Sequence, residues 1–280
     1  MIPNRNRYLT QFVAKLLIWI GALSTIAVMI LILFQILKEG LPVLRPSFFL
    51  GSPRNMGREG GIFTTIIGTV ALTAVAIIVG APLGVGTAIF LREYTRESKT
   101  SRIIRFGTDC LAGVPSIIFG LFGFVFFVIR LNMGWSILSG GLTLAAMILP
   151  TVISTAEESI KAVPPFYREV SYSLGGTKWQ TVTRVVLPSA LPGILTGILL
   201  SVGRSIGETA AIVLTAGSSL VMPTSLFSPI RTMSVHFYIL AREGISMKMA
   251  YGTGAALILL VLAVNIIAQW AINRYVRHRT

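Results

Sequence analysis

Charge is scarce in this chain. Only 12% of its 280 residues are Asp, Glu, Lys or Arg, about half the share found in soluble globular proteins. That shortage excludes an ordinary soluble domain. A disordered chain is excluded too, because disorder goes with low hydrophobicity and 54% of these residues are hydrophobic. The single cysteine, Cys110, permits no internal disulfide and no paired-cysteine metal or redox motif. His236 and His278 are the only histidines and lie far apart, so no zinc site of His/Cys type is expected. No G-x-x-x-x-G-K-[ST] run occurs, so the chain has no P-loop with which to hydrolyse ATP. Acidic residues number 10 against 24 basic ones, for a net charge of +14.

What is present is a series of long uncharged blocks, with a mean hydropathy of +0.79. A helix needs about 20 apolar residues to cross roughly 30 Å of hydrocarbon. The blocks predict an all-α polytopic membrane protein of six spans: 16–37, 62–91, 110–129, one within 131–156, one within 189–230, and 249–273. The first has too long an apolar run for a signal peptide and ends in no small-residue cleavage site, so it reads as a retained helix. Basic residues fall mostly between the blocks, which favours lipid over nucleic acid as the partner of this basic chain. Fifteen Lys/Arg lie on the face shared by the two termini, the second connection and the fourth, against eight on the other. The positive-inside rule then places both termini in the cytoplasm. Pro and Gly crowd the spans at Gly80, Pro82, Pro115, Gly120, Gly123, Pro150, Pro192 and Gly193. Such breaks survive in lipid only where neighbours or cavity water re-satisfy the backbone. Gly193/Gly197 and Gly203/Gly207 are small-xxx-small pairs suited to close helix approach.

Arg204 and Glu208 stand in the fifth apolar block. An isolated Arg at the bilayer centre costs at least about 2.5 kcal/mol. If the helix continues through both, their i, i+4 spacing puts them on one face. Two readings stay open there: a pair that only neutralises itself, or a polar pathway for an ion. Ser205 and Thr209 add hydroxyls, and a guanidinium fork beside hydroxyls suits an oxyanion. The run Gly203-Arg204-Ser205-Ile206-Gly207 matches G-x-S-x-G, but a nucleophile elbow needs a preceding strand and a His partner, and neither is expected here.

The fourth connection is unusually organised. It reads Val163-Pro164-Pro165-Phe166-Tyr167-Arg168-Glu169-Val170-Ser171-Tyr172-Ser173-Leu174-Gly175-Gly176-Thr177-Lys178-Trp179. Pro165 can open a short helix, and Gly175 with Gly176 can end it. A second short helix is expected to run to Leu187-Pro188. Phe166, Tyr167, Val170 and Leu174 share an apolar face at helical spacing, which suits docking into a partner's groove. The segment resembles the EAA loop of ABC importer permeases, E-A-A-x-x-x-G-x9-I-x-L-P. Glu169 is the E, Gly175 the G, Val185 stands for the I, and Leu187-Pro188 is the L-P, with Val170-Ser171 in place of the alanines. In that family the loop is the coupling helix that sits in a cleft of the ATPase subunit, which implies a coupling role for Glu169, Leu174, Gly175, Leu187 and Pro188.

Three further runs narrow the resemblance: Glu59-Gly60-Gly61-Ile62, Pro115-Ser116-Ile117 and Gly203-Arg204-Ser205-Ile206-Gly207-Glu208-Thr209-Ala210. They are similar to the phosphate-specific (Pst) permeases, and the runs Leu174–Trp179 and Gly193–Gly197 are more similar to the A-type than to the C-type subunit. The resemblance implies a type I ABC importer permease fold with both termini inside, in a bacterial inner membrane. It also implies a C-type permease as heterodimer partner, two ATPase subunits that bind the ATP, and a periplasmic or lipid-anchored phosphate-binding protein. The chain itself would carry no cofactor, no metal and no catalytic residue. Residues 1–61 would form the first helix and a periplasmic loop, 62–273 the permease domain with the loop at about 157–190, and 274–280 a basic tail. The phosphate path would run past Arg204, Ser205, Glu208 and Thr209. Permeation of another oxyanion (sulfate, molybdate or phosphonate) and an intramembrane enzyme using Glu208 or Ser205 are the alternatives. Among the other residues, Arg105 and Asp109 are expected to pair at i, i+4. Glu157 and Glu158 are expected to be solvated, His236 to be an ordinary loop residue, and Arg231 and Arg242 to be solvated external charges.

Overall fold

The computed structural model describes residues 5–95 and 98–277, with side chains described from residue 11 to 274. Arg96, His278, Arg279 and the end of the basic tail expected over 274–280 lie outside the described residues. Five helices are long and apolar enough to cross a membrane, or six if one bent pair counts as a single span.

Helix α1 (Arg5–Gly40) is apolar and almost wholly uncovered by the rest of the chain. It meets the bundle at its end, where a Cβ on Gly40 would stand 2.4 Å from the Tyr251 carbonyl oxygen. The segment after it holds α2 (Pro46–Leu50) and a small antiparallel hairpin of β1 (Pro53–Arg54) and β2 (Glu59–Gly60). Helix α3 (Phe63–Ile89) is the second span and continues as a π turn over Phe90–Tyr94.

The third span departs from expectation. Helix α4 (Lys99–Ala112) and helix α5 (Ser116–Gly123), which is extended by a π segment to Arg130, meet at 104°. Pro115 has no N–H to donate back into α4, so the chain turns there instead of running straight over 110–129. The fifteen residues of Ser116–Arg130 are about 22 Å long at 1.5 Å per residue. Gly120 holds α5 close to Ala211, with an added Cβ 2.8 Å from its Cα.

Helix α6 (Ile137–Lys161) is the packing axis, with two-thirds of its apolar window buried. Lipid is as apolar as these side chains, so close packing and not water exclusion must hold such helices together. Gly80 and Gly84 of α3 lie against Ile148 and Val152, while Gly140 and Gly141 of α6 lie against Leu72 and Val75. Leu72, Leu144, Met147 and Ile148 form the buried centre of that seam. Helix α7 (Pro165–Ser173) follows, then α8 (Lys178–Thr181), a π turn over Val182–Val186, and α9 (Leu187–Gly207). From Lys178 to Gly207 these form one helix of 30 residues, so the expected second short helix does not stop at Leu187-Pro188. Pro188 cannot donate to the carbonyl four residues back, and the slip to a π turn absorbs that loss without ending the helix.

Helix α9 then ends at Gly207, and the fifth apolar block does not continue straight. Helix α10 (Ala210–Thr215) packs on α5, a loop leads to α11 (Met233–Arg242), and α12 (Met247–Arg277) is the last span. Among the described residues, the all-α character and multi-span organisation expected from the sequence are both present.

Candidate functional site: a broken helix end and a docking helix pair

Arg204 stands in the last turn of α9, and its side chain is exposed. Glu208 follows the helix in extended backbone (φ −68°, ψ 136°). The i, i+4 pairing therefore fails, because it requires a helix that continues through both residues. The Glu208 Oε1 accepts instead from the Ala211 N–H at 3.1 Å, and its backbone carbonyl accepts from the Ser234 hydroxyl. Among the described residues Arg204 has no ion pair or hydrogen bond. Nor is Arg204 at mid-helix, as its place in the apolar block suggested; it lies one turn from a helix end. Thr209 shares the break, with only a 3.5 Å contact from its hydroxyl to the Gly207 carbonyl. Ser205 faces the other way: it is 2% exposed, and its buried hydroxyl has no partner. Three of the four residues expected along the path thus gather at the break, and Ser205 turns into the bundle.

The two glycine pairs of α9 differ. Cβ atoms on Gly193 and Gly197 would stand 2.4 Å and 1.9 Å from the Ser159 and Thr155 hydroxyls of α6. That pair seats α9 on its neighbour. Gly203 and Gly207 have nothing within 4 Å. With exposed Leu200 and Arg204 they form an open flank of α9. Irregular backbone within a membrane is tolerated only where protein or water re-satisfies it, and here the Glu208 carboxylate and the Ser234 hydroxyl each supply a bond.

The connection after α6 forms a second place of interest. Pro165 opens α7 and Leu174 ends it. The Gly175 N–H donates to the Tyr172 carbonyl and the Gly176 N–H to the Ser171 carbonyl, the bond pair of a Schellman turn. Gly175 has φ +81°, and a Cβ on Gly176 would stand 2.7 Å from the Ser171 carbonyl oxygen. Thr177 caps α8 in a reciprocal box with Gln180, and the Ser171 and Thr181 hydroxyls join the two helices at 2.8 Å. Phe166, Tyr167, Val170 and Leu174 line an open groove of 560 Å³ together with Arg184 and Val185. Leu174 is 83% exposed and Phe166 64%. Glu169 is exposed, while Leu187 and Pro188 are half-buried inside the long helix.

Several ionic contacts were not legible in the sequence. The Arg168 guanidinium donates to Glu93 through Nη2 at 2.7 Å and Nε at 3.1 Å. It also donates to the Val163 and Ile160 carbonyls at the end of α6, at 2.9 Å and 3.1 Å. Arg105 pairs not with Asp109 but with Glu157 at 2.8 Å, and Arg92 stands 3.9 Å from the same carboxylate. Glu157 is thus a bridging group and not a solvated one, because the middle of α4 and the turn after α3 each bring an arginine to it. Glu158 stays exposed beside Lys161.

His236 and Arg231 also depart from expectation. Both are buried, His236 completely, with Arg231 Nη1 3.5 Å from His236 Nδ1. Burial first, and then the Arg231 charge, push the His236 pKa down to about 4. Burial also lowers that of Arg231, with Glu243 opposing. A neutral ring accepting at Nδ1 carries its proton on Nε2, which has no partner and faces Gly57. Arg242 is exposed and donates to Tyr238.

Residues 80–280 match the family described as "Binding-protein-dependent transport system inner membrane component". The chain is 31% identical to the "Probable ABC transporter permease protein YqgI" of Bacillus subtilis, over 95% of this chain and 96% of that one. It is 33% identical to the "Phosphate transport system permease protein PstA" of Pasteurella multocida, over 85% of each. In fold it is similar to a subunit of the inward-facing MetNI methionine ABC transporter, with a TM-score of 0.66 and 16% identity over 76% of this chain and 95% of that one. It is also similar to a chain of a bacterial ABC transporter involved in import of the acidic polysaccharide alginate, with a TM-score of 0.64 and 15% identity over 96% and 99%.

Proposed function

The chain belongs to the family of binding-protein-dependent transport system inner membrane components, and from that premise we propose that it is the A-type permease subunit of an ATP-driven phosphate importer. In this reading it lies in a bacterial inner membrane with both termini inside. The open flank of α9 faces a C-type permease, and the two together form the path. Helices α7 and α8 dock on one of two ATPase subunits, which hold the ATP, while a phosphate-binding protein delivers substrate to the other face. The chain supplies no catalytic residue of its own.

One observation carries the reading. Arg204 is an exposed cation without a partner among the described residues, on a flank those residues leave uncovered, in a protein one-third identical to a phosphate permease. An anion crossing hydrocarbon needs such a charge, provided binding stays weak enough for release. A guanidinium offers phosphate two parallel donors. Glu208, four residues on and committed to the Ala211 N–H, leaves Arg204 free for the anion, and its carboxylate at the same break opposes trapping.

The test is ATP-driven uptake of labelled phosphate by proteoliposomes holding the four kinds of subunit, with sulfate as competitor. Uptake that excess sulfate leaves intact supports phosphate. Equal inhibition by sulfate would move the assignment to another oxyanion, and no ATP-driven uptake of either would end it. For orientation, cysteines placed at the exposed positions Ser98 and Thr177, in a chain whose exposed Cys110 has been replaced by serine, should be shielded from external reagents. A cysteine at exposed Ser52 should react. External labelling at Thr177 would reverse the topology.

A further inference from the structure

Helix α7 carries the surface assigned above to the ATPase; it meets the long helix Lys178–Gly207 through the Ser171–Thr181 bond, but α3 and α6 through few groups. Among the described residues, the only side-chain hydrogen bonds or ion pairs from α7 to α3 or α6, or to the π turn and loop that end them, are those of Arg168. That guanidinium is held on two sides. Its Nη1 donates to the Val163 carbonyl just past α6 and its Nη2 to the Ile160 carbonyl in the last turn of α6, while its Nε and Nη2 grip the Glu93 carboxylate. The Glu93 side chain is 6% exposed and that of Arg168 is 20% exposed, so water competes weakly for the pair.

Glu93 stands in the π turn Phe90–Tyr94 at the end of α3. π turns are rare and recur at functional sites. This one presents three consecutive residues to three different partners. Arg92 reaches toward Glu157 of α6, Glu93 binds Arg168 of α7, and the Tyr94 ring lies 5.1 Å from the Lys178 ammonium of α8. The turn is therefore keyed to the end of α6 and to both helices of the docking pair.

We propose that Glu93 is the positioning residue of coupling: through Arg168 it makes α7 move as one body with α3 and α6, so that a push on the docking pair reaches the spans that pack along the path. The proposal rests on the importer reading. Without Glu93, α7 still folds through its Pro165 start and Schellman end and still presents Phe166, Tyr167, Val170 and Leu174, and Arg168 keeps its bonds to the Ile160 and Val163 carbonyls, but the tie to the end of α3 is gone and the push reaches the spans weakened.

The experiment compares the reconstituted wild-type complex with Glu93→Gln and Glu93→Asp. Co-purification of the ATPase, ATP hydrolysed and substrate imported are measured together. Hydrogen exchange of the 165–181 amides is measured on the isolated chain. For Glu93→Gln the ATPase should remain bound and the amides should exchange faster. Uptake per ATP should fall at least about fivefold, the low end of ordinary coupling between two sites. Glu93→Asp, which keeps the charge, should recover much of the ratio. A loss of uptake matched by equal loss of hydrolysis or of assembled complex would make Glu93 a folding residue only and overturn the proposal. Normal uptake per ATP, or unchanged exchange, would overturn it too. A wild-type complex without ATP-driven uptake would sink the importer reading itself, an outcome visible before any substitution is made.

Discussion

Replacing Gly175 tests backbone conformation in isolation. Its φ of +81° lies where side-chain-bearing residues are rare, and an added Cβ would meet nothing within 4 Å. Any penalty at this position therefore comes from the residue's own backbone, with no contribution from crowding. The left-handed conformation costs an L-residue about 1–2 kcal/mol, less for Asn, and more for a β-branched residue. At about 1.4 kcal/mol per tenfold, Gly175→Ala should weaken docking of the ATPase subunit about 5- to 30-fold. Gly175→Asn should cost less and Gly175→Val more. The chain stays in the membrane in every case, because the turn lies outside the spans and is exposed. The assay is titration of labelled ATPase subunit onto the chain held in nanodiscs. The expected order of affinity is Gly, Asn, Ala, Val. If Val docked as well as Asn, the turn would not govern docking and the reasoning would fail. Gly176 obeys a different rule, since its Cβ would press on the Ser171 carbonyl; there Asn should be no better than Ala.

Arg204→Gln should lower uptake about 10- to 100-fold, the worth of a charge-assisted bond of roughly 1.5–3 kcal/mol, with assembly unchanged because Arg204 has no partner among the described residues. Arg204→Lys should keep part of the rate, and uptake of Arg204→Gln within twofold of wild type would remove Arg204 from the path. Glu208→Gln retains an oxygen for the Ala211 N–H, so α10 should stay folded, and tighter anion retention with slower turnover is the expected result in a transport and binding assay. For His236 the folded value is depressed from 6.5 to about 4, so below 6.5 the unfolded chain binds a proton that the folded chain refuses. Stability should be full above pH 6.5 and fall by about 3 kcal/mol as pH drops to 4. Thermal unfolding across that range would show it, and a His236→Gln chain with the same pH slope would refute the assignment.

Much of the architecture could be read from local pattern. Apolar blocks located the spans, and Pro165 with the two glycines bounded α7, because helix starts and Schellman ends are written in a few adjacent residues. The failures share one physical cause. The bend between α4 and α5 was signalled by Pro115, but its direction depends on α5 nesting against Ala211 through Gly120, a contact with no local trace. Arg168 and Glu93 are 75 residues apart. His236 read as a loop residue because the Gly57 backbone that closes over its ring comes from 179 residues away, a contact that periodicity cannot show. Glu157 looked solvated at the end of its span because the arginines that claim it sit on α4 and on the turn after α3.

The pathway residues show the same limit most sharply. Helical spacing pairs Arg204 with Glu208 only if the helix persists between them, and no proline lies between 193 and 222 to warn otherwise. What holds the end of α9 is only partly local: the Glu208 carboxylate accepts from the amide of Ala211, three residues on, but the Glu208 carbonyl accepts from the Ser234 hydroxyl, 26 residues on. Each removes a group that a continuing helix would need. The consequence runs from packing to function. A closed Arg–Glu pair would present no net charge, whereas the broken end leaves the guanidinium free beside two glycines with nothing against them. A neutralised pair can tolerate the bilayer without carrying anything; a cation with no partner among the described residues draws one from water, lipid or another chain, and on the reading proposed above a passing anion is that partner, held only transiently.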